Sequence, residues 1–386
     1  MDDLRPDIPL ATVPDELIVD LREIDLVEAA LTALHLDSLR VAELAVFDLA
    51  RLRLWHRSQQ AGGEPVPVTD VDPLLAELRR LFAAECGGWN PVLGKNRFVS
   101  SQFGAYPQTQ SMAGEFEPEP ADRPDPVPEA RPDGGAGVRV GVLDTRLYRH
   151  PDLAGHYETP DAGTGFDQHD ADPIPWEDGH AAFVTGLIAA HAPKAEIVVR
   201  DVLDSDGRAT AWDTVAAMAR FRKDGIHILN LALGCRAHHG PPLVVQRAIE
   251  RLTPDMLIVA AAGNHGQVDG LWHDITRRSA TWPAALPGVV AVGGRTADDA
   301  LAPYSPLLPW VTCTAPGNAV STYLDGRVRR RHDLADFHGY ASWKGTSIAT
   351  SVVSGMVAAR TRPGEVSAAQ ALAALLAEAT VVRPAG

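Results

Sequence analysis

The sequence predicts an α/β fold in which helices cover both faces of a parallel sheet, preceded by a small α+β domain. Over residues 137–386, short apolar and β-branched runs alternate with helical segments. These runs are apolar on both faces, as in strands that are buried from both sides. An acidic, Pro-rich segment over residues 111–136 separates the two parts, and the chain of 386 residues is long enough for both.

The N-terminal part, residues 1–110, follows the strand and helix order of a ferredoxin-like domain. Its later strand region could also form a helix, because apolar residues are dense there without clear alternation. The predicted elements are a strand over 16–22, a helix over 25–35, a strand region over 39–54, a helix over 70–85 and a strand over 96–101.

The segment between the two domains is predicted to be a linker. Residues 113–136 are crowded with Pro, Asp and Glu, and such a segment buries too little surface to offset the entropy lost on ordering. We expect its deletion to leave the following domain folded. The basic cluster "RVRRRH" over residues 327–332 is expected to be a solvated loop.

The main domain, residues 137–386, supplies the sheet. Parallel strands joined by helices end at one edge, and that edge is where sites collect in such sheets. Strands are predicted over 138–144, 195–202, 226–233, 256–263, 288–294 and 310–317, and helices over 180–191, 212–223, 242–252, 347–360 and 366–378.

Composition and charge limit the classes of binding partner and the cellular compartment that we expect. The net charge of −15 argues against nucleic acid or an anionic membrane as a main partner, because binding phosphate draws on clustered Lys and Arg. The sequence has no apolar run of membrane-spanning length and no secretory signal. Three cysteines, Cys86, Cys235 and Cys313, cannot form a closed disulfide set. These features predict a soluble, cytoplasmic protein.

Four polar residues stand at the ends of predicted elements. Asp144 ends one strand and Asn264 follows another, whereas His180 and Ser347 open helices. A Ser hydroxyl needs a base to become a good nucleophile, and the pKa of His suits that role at neutral pH. A carboxylate orients the imidazole, while an Asn amide and a helix N-terminus can stabilise an oxyanion. Together they predict nucleophilic acyl transfer.

Each of these residues also has a purely structural interpretation. Ser347 could cap its helix, and His180 could be an ordinary first-turn residue. Asp144 and Asn264 could be turn residues. For any one residue this interpretation is at least as good, so the catalytic hypothesis depends on all four occurring in the order Asp, His, Asn, Ser.

The same segments resemble the subtilisin-like serine protease family from about residue 138 to the last helix. An α/β-hydrolase would instead place Gly-x-Ser-x-Gly first in the chain. The resemblance implies that Asp144 orients His180, that His180 is the base for the nucleophile Ser347, and that Asn264 stabilises the oxyanion. The seven matching segments are "VGVLDT" with "HPDL", "GHAAFVTGLI", "NLALG", "VAAAGNHG", "WPAALPGVVAVGG", "TAPG" and "GTSIATSVVSG".

The resemblance also implies a groove that pairs with the backbone of an extended peptide. Thr281 would form the floor of the pocket for the side chain before the cut, which favours a small or medium apolar residue. The implied substrate-binding residues are Gly207, Arg208, Ala209, Leu231, Ala232, Leu233, Gly234, Ala262, Gly263 and Thr281.

The N-terminal part is similar in length, position and element order to the propeptide domain of this family. That similarity implies an intramolecular inhibitor or chaperone, with residues 99–110 as the inhibitory strand and the acidic linker as the region of cleavage. The alternative is a small interaction domain that recruits a partner. Family members often bind calcium, but no ligand set is identifiable here, so the sequence predicts no cofactor or metal.

The chain departs from the family pattern beside the catalytic segments. Arg146 stands where Gly is usual, residues 181–183 replace Gly-Thr-His, and Ser351 replaces a Pro. No catalytic group is lost, but the substrate side near His180 differs. We therefore expect an endopeptidase that cleaves a limited set of peptides or proteins, and the alternative is a non-catalytic peptide-binding module on the same scaffold.

Overall fold

The computed structural model describes residues 12–57, 64–101, 117–128, 130–161, 171–237, 240–267, 276–306, 308–331 and 333–384. Within these ranges the strands form three sheets. One belongs to the N-terminal domain, one is the central sheet of the main domain, and the third is a small sheet built on a long hairpin.

The N-terminal domain has the strand and helix order that the sequence predicts. The strand region that could also have formed a helix is two antiparallel strands, joined by a short 3-10 turn at Ala45–Phe47. Leucine and valine side chains of the sheet and of both helices form one core. The elements are β1 (Thr12–Asp20), α1 (Ile24–Ala33), β2 (Leu36–Leu44), β3 (Leu49–His56), β4 (Val66–Pro67), α2 (Val71–Glu85) and β5 (Leu93–Ser100).

The remaining described residues form the main domain and the segment that leads into it. The predicted strand over 310–317 is shorter than expected, and a hairpin of two long strands was not predicted. The elements are β6 (Glu119–Pro120), β7 (Arg139–Asp144), β8 (Tyr157–Glu158), β9 (Ile174–Pro175), α3 (His180–His191), β10 (Glu196–Asp201), β11 (Arg208–Thr210), α4 (Ala211–Phe221), β12 (Ile228–Leu231), α5 (Leu243–Leu252), β13 (Leu257–Ala261), β14 (Val289–Arg295), β15 (Cys313–Pro316), β16 (Asn318–Arg329), β17 (Leu334–Lys344), α6 (Thr346–Arg360), α7 (Ala368–Glu378) and β18 (Arg383–Pro384).

The central sheet confirms the predicted α/β class. Its strand order is β18, β15, β14, β13, β12, β7, β10 and β8, and every neighbouring pair is parallel except β15 with β18. Side chains of α3, α6 and α7 pack on one face, and those of α4 and α5 pack on the other. Burial of both faces explains why the strands read as continuous apolar runs.

The N-terminal domain packs against the second face of the main domain. Ile18, Phe47 and Val99 share one core with residues of α4 and α5. β5 also pairs antiparallel with β11, a strand of the main domain. The N-terminal sheet therefore continues directly into the main domain.

The long hairpin of β16 and β17 carries part of the acidic segment. β6 pairs antiparallel with β17, so that Glu119 lies opposite Ser342 and Pro120 opposite Ala341. The carboxylate of Glu117 is buried and accepts a hydrogen bond of 2.8 Å from the backbone N–H of Arg331. These contacts differ from the expectation of an unpacked linker over 111–136.

The basic cluster also differs from the solvated loop that we expected. The first three of its residues belong to β16. The guanidinium of Arg330 forms ion pairs of 2.6 Å with Glu119 and with Asp333. Opposite charges on two distant segments therefore attach the acidic segment to the hairpin.

We expect Glu117→Ala to destabilise the main domain by about 1–3 kcal/mol. The change removes the buried carboxylate that accepts a hydrogen bond from the N–H of Arg331, and a hydrogen bond to a charged group contributes about that much. Urea unfolding would measure the loss. Asp125→Ala is the control, because Asp125 is an exposed carboxylate of the same segment. Equal midpoints for the two variants would contradict the docking of this segment.

Candidate active site

The four residues singled out by the sequence lie at the carboxyl edge of the central sheet or at helix starts. Asp144 is the last residue of β7, and Asn264 follows β13. His180 is the first residue of α3, and Ser347 is the second residue of α6. The helices α3 and α6 pack against each other on the same face of the sheet.

Asp144 and His180 form a buried pair. Nδ1 of His180 lies 2.8 Å from each carboxylate oxygen of Asp144, and both side chains are almost fully buried. A carboxylate only accepts hydrogen bonds, so Nδ1 carries the proton. Nε2 is therefore left with a lone pair, which is the arrangement that a general base requires.

Thr145 joins the two segments that carry this pair. Its backbone N–H donates to Oδ1 of Asp144 over 2.8 Å. Its hydroxyl accepts a hydrogen bond of 3.1 Å from the backbone N–H of Ala181, in the first turn of α3. One side chain thus fixes both the carboxylate and the start of the helix that carries His180. Its only signal in the sequence is its position directly after Asp144.

Trp343 forms an aromatic wall against His180. The two rings meet edge to face, with centroids 5.2 Å apart and an interplanar angle of 86°. Trp176 and Phe183 pack on the same indole, with centroid distances of 5.5 and 5.4 Å. This packing limits the orientations available to the imidazole. Trp343 lies four residues before Ser347 and was not predicted to be a site residue.

Hydrogen bonds to its oxygen orient the carboxamide of Asn264. Oδ1 accepts from the backbone N–H of Thr346 over 2.9 Å and from the Thr346 hydroxyl over 3.1 Å. The Thr346 hydroxyl in turn accepts from the N–H of Gly263 over 3.0 Å. Because Oδ1 is held by Thr346, the Nδ2 donors of Asn264 point elsewhere. The sequence analysis did not assign this role to Thr346.

Those amide donors and the Ser347 hydroxyl converge above Gly345. The point where a Cβ on Gly345 would lie is 3.3 Å from Ser347 Oγ and 3.4 Å from Asn264 Nδ2. A side chain at residue 345 would fill this space, and its φ of 155° also favours glycine. A reacting carbonyl in this space would meet both the nucleophile and an oxyanion donor.

Ser347 does not cap its helix. The N-cap of α6 is Gly345, and no side chain makes a capping hydrogen bond there. The capping interpretation of Ser347 is therefore not supported by the geometry, whereas the position at a helix N-terminus fits a nucleophile.

The predicted peptide groove is occupied by the chain itself. Gly234 and Ser100 exchange two backbone hydrogen bonds, of 2.9 and 3.0 Å. On the other side, Arg208 and Ala209 pair with Ser100 and Val99, and the carbonyl of Gly207 accepts from Ser101 N–H over 3.1 Å. The end of β5 therefore runs between the two edges that were predicted to bind substrate.

The remaining predicted substrate residues lie around the end of this groove. Leu231 ends β12, and Ala232 and Leu233 follow it as buried residues. Ala262 and Gly263 follow β13, the neighbouring strand. Thr281 is fully buried behind Gly263.

In the described part of the chain, no three His, Cys, Asp or Glu residues are grouped so that they could hold a metal ion. No helix in that part is long and apolar enough to cross a membrane.

Comparison with known proteins gives a family for this arrangement. Residues 135–384 match the model of the subtilase family. The chain belongs to the subtilase family of serine proteases. Its subtilisin-like fold and its family resemblance are thereby confirmed, with the N-terminal domain outside the matched residues.

Several bacterial subtilases are similar to the chain. A thermophilic serine proteinase of Bacillus sp. (strain AK1) is 31% identical over 239 residues, which is 58% of this chain and 52% of that protein. Subtilisin BL of Lederbergia lenta is 31% identical over 241 residues, which is 58% of this chain and 76% of that protein. The chain thus spans about half the length of the first of these relatives.

A solved structure supports the subtilase fold. The crystal structure of a lanthipeptide protease aligns with a TM-score of 0.51 and 23% sequence identity, over 64% of this chain and 81% of that chain. At this identity the likeness concerns the fold alone.

Proposed function

We propose that the chain is a serine endopeptidase that hydrolyses peptide bonds through an acyl-enzyme. The observation that carries this proposal is the buried Asp144–His180 pair on the same edge as Ser347, whose hydroxyl shares one space with the Asn264 amide. The order of these residues in the chain is that of subtilisin.

The proposed reaction has two halves, formation of an acyl-enzyme and its hydrolysis by water. His180 Nε2 removes the proton of Ser347 Oγ as this oxygen attacks the peptide carbonyl carbon. The oxyanion accepts hydrogen bonds from Asn264 Nδ2 and the backbone N–H of Ser347. His180 then protonates the leaving amine, which departs as the carbonyl re-forms. A water, deprotonated by His180, cleaves the resulting ester and frees Ser347.

Asn264→Ala is expected to lower kcat by about 10²–10³-fold, the usual cost of one oxyanion donor. Steady-state turnover of a peptide substrate would measure the loss. The control is Asn318→Ala, which removes an exposed carboxamide from β16. Unchanged turnover in a folded Asn264 variant would contradict the proposed oxyanion site.

We also propose that the N-terminal domain is an intramolecular inhibitor. In support, Ser100 and Ser101 make the backbone hydrogen bonds that an extended substrate would make with Gly234 and Gly207. A peptide cannot pair with the same groups while β5 occupies them. The rest of the proposed inhibitory segment, residues 102–110, lies outside the described residues.

Buried polar contacts support a specific docking of this domain. Asp20 is fully buried and pairs with Arg247 of α5, with both Nη atoms 3.1 Å from Oδ2. Asn96 accepts a hydrogen bond of 3.0 Å from the backbone N–H of Trp212 and donates to Glu16 over 2.6 Å. Separating the domains would break the Asp20–Arg247 pair and the hydrogen bond between Asn96 and Trp212, which favours the closed state.

The occupied groove also suits the alternative, a peptide-binding module whose groove the N-terminal domain covers. Labelling of Ser347 by a fluorophosphonate probe separates the two. We expect intact mass to show either one probe on the full-length chain or a cut between about residues 100 and 136, in the tail and linker that would connect domains of ordinary size, both lost in Ser347→Ala. An intact, unlabelled wild-type chain would then require the groove to be opened.

Ser100→Pro in the full-length chain is expected to weaken the pairing of β5 with the groove. Proline removes the N–H that Ser100 donates to Gly234, whereas the control Ser100→Ala keeps it. We expect faster labelling of the Pro variant only. If the Pro variant folds and still shows neither labelling nor peptide cleavage, the endopeptidase proposal is wrong.

We further propose a cytoplasmic setting and a limited set of targets. Cys86, Cys235 and Cys313 are free thiols, as is usual in a reducing compartment. An inhibited groove and the atypical residues after His180 favour cleavage of particular peptides over general digestion.

A further inference from the structure

The segments that leave two neighbouring strands of the central sheet form the two sides of a candidate specificity pocket. β12 and β13 pair in parallel, and the chain leaves them as Leu233–Gly234 on one side and Ala262–Gly263 on the other. Trp282 is tied to Cys235 by two backbone hydrogen bonds of 2.8 Å. Thr281, the preceding residue, is thereby held between the two walls. Because Asn264 follows Gly263, this pocket lies next to the reacting groups.

Two buried polar atoms face the Gly263 wall. The point where a Cβ on Gly263 would lie is 2.8 Å from His265 Nδ1 and 2.9 Å from Thr281 Oγ1. His265 and Thr281 are fully buried. Neither polar atom has a hydrogen-bond partner among the described residues. Buried polar atoms usually have a partner, so an unpaired pair aimed at one space indicates a ligand.

The hydrogen bond of Nε2 determines whether Nδ1 of His265 is a donor or an acceptor. Nε2 lies 2.9 Å from the carbonyl oxygen of Ser279. A carbonyl only accepts, so Nε2 carries the proton and Nδ1 of the neutral ring is an acceptor. Burial lowers the pKa of His265 to about 3, with a smaller contribution from the charge of Arg236. The ring therefore stays neutral at physiological pH.

We propose that His265 Nδ1 and Thr281 Oγ1 select peptides whose side chain before the scissile bond is an uncharged hydrogen-bond donor, namely the amide of Gln or Asn. This inference rests on the proposed endopeptidase function. The two amide N–H groups can donate to His265 and Thr281, and the amide oxygen can accept from the Thr281 hydroxyl. The polar lining differs from the small apolar preference that the sequence suggested for Thr281.

Leu, Glu and Lys side chains match His265 Nδ1 and Thr281 Oγ1 less well than Gln does. Leu leaves both buried atoms without a partner, and a site built for hydrogen bonds discriminates strongly against analogues that lack them. An ionised Glu has the size of Gln, but its carboxylate only accepts hydrogen bonds. It therefore has no N–H for the lone pair of His265 Nδ1 and is repelled by it. Arg236 is the nearby competing charge: its guanidinium would favour Glu and oppose Lys. The Gln to Glu ratio therefore decides which group controls the pocket.

The test uses four fluorogenic peptides that differ only in Gln, Glu, Leu or Lys before the cut. Cleavage is measured with the full-length chain in the Ser100→Pro background, which is expected to weaken the pairing of β5 with the groove. We expect kcat/KM for Gln to exceed that of each other peptide by at least about tenfold, which corresponds to 1.4 kcal/mol. An equal or higher value for Leu, which would mean that the pocket holds only a water, or for Glu or Lys, overturns the proposal.

Variants at Thr281 provide the matched controls. Thr281→Val is nearly isosteric but lacks the hydroxyl, and should lower kcat/KM for Gln about tenfold more than it lowers kcat/KM for Leu. Thr281→Ser keeps the hydroxyl and should retain the preference for Gln. Equal losses for Gln and Leu in Thr281→Val would overturn the assigned role.

Fluorophosphonate labelling of Ser347 keeps the two proposals distinguishable. The Ser100→Pro chain should label whichever side chain the pocket prefers, since the probe lacks the selected side chain. Normal labelling without a Gln preference overturns the pocket proposal alone. In a folded, open chain, absent labelling together with absent cleavage of all four peptides overturns the endopeptidase function, and the selectivity proposal with it.

Discussion

Ser347→Ala is expected to lower kcat by about 10⁶-fold, the size of effect known for the nucleophile of subtilisin. The reason is chemical, because Ala has no oxygen to form the acyl-enzyme. The geometry supports the assignment: Ser347 Oγ faces the same space as Asn264 Nδ2, above Gly345. Turnover of a fluorogenic peptide in the Ser100→Pro background would measure the loss.

Ser351→Ala provides a control on the same helix. Ser351 is also buried, and its hydroxyl donates to the carbonyl oxygen of Ser347 over 3.0 Å. Its loss changes the interior of α6 without removing a reacting atom. We expect kcat to stay within a few-fold of the parent. If the two variants lost activity equally, the effect would come from disturbance of α6, and the assignment of Ser347 as nucleophile would be wrong.

The central sheet was predictable because its signal is local. Strands buried on both faces favour continuous apolar runs, and residues 140–143 form such a run within the strand itself. The boundary of β15 was less predictable. Its pairing with β14 and β18 begins only at Cys313, and pairing depends on neighbouring strands that lie elsewhere in the sequence.

The hairpin and its acidic partner were not predictable from local composition. The run "RVRRRH" is typical of a solvated loop, and a segment rich in Pro, Asp and Glu is typical of a linker. Each finds its partner about two hundred residues away, because Arg330 pairs with Glu119 and Glu117 binds the N–H of Arg331. The opposite charges of the acidic segment and the basic cluster were visible in the sequence. Which charges pair depends on how the folded chain brings the two segments together.

The catalytic site likewise combines features that the sequence shows with features that depend on the folded chain. The order and element ends of Asp144, His180 and Ser347 are properties of the sequence. The roles of Thr145 and Trp343 are not, because they depend on which backbone N–H and which ring face lie opposite them in the folded chain. The presence of a Thr or a Trp at these positions carries no signal of these contacts.

Asp144→Asn is expected to lower kcat by about 10⁴-fold, since the equivalent change in a serine protease triad yields the wrong His tautomer. Both carboxylate oxygens lie 2.8 Å from His180 Nδ1, and the N–H of Thr145 holds Oδ1. An Asn keeps its acceptor oxygen at that position and places an N–H donor beside Nδ1. The ring then carries its proton on Nε2, so it cannot accept the proton of Ser347.

Asp201→Asn is the matched control for this prediction. Asp201 ends β10, lies directly opposite Asp144 in the parallel pair of β10 and β7, and is exposed. It is therefore a strand-end carboxylate in the same register that does not touch His180. We expect kcat within a few-fold of the parent for this variant, with fluorophosphonate labelling preserved. Equal losses at the two positions would mean that strand-end charge alone accounts for the effect, and the orienting role of Asp144 would have to be abandoned.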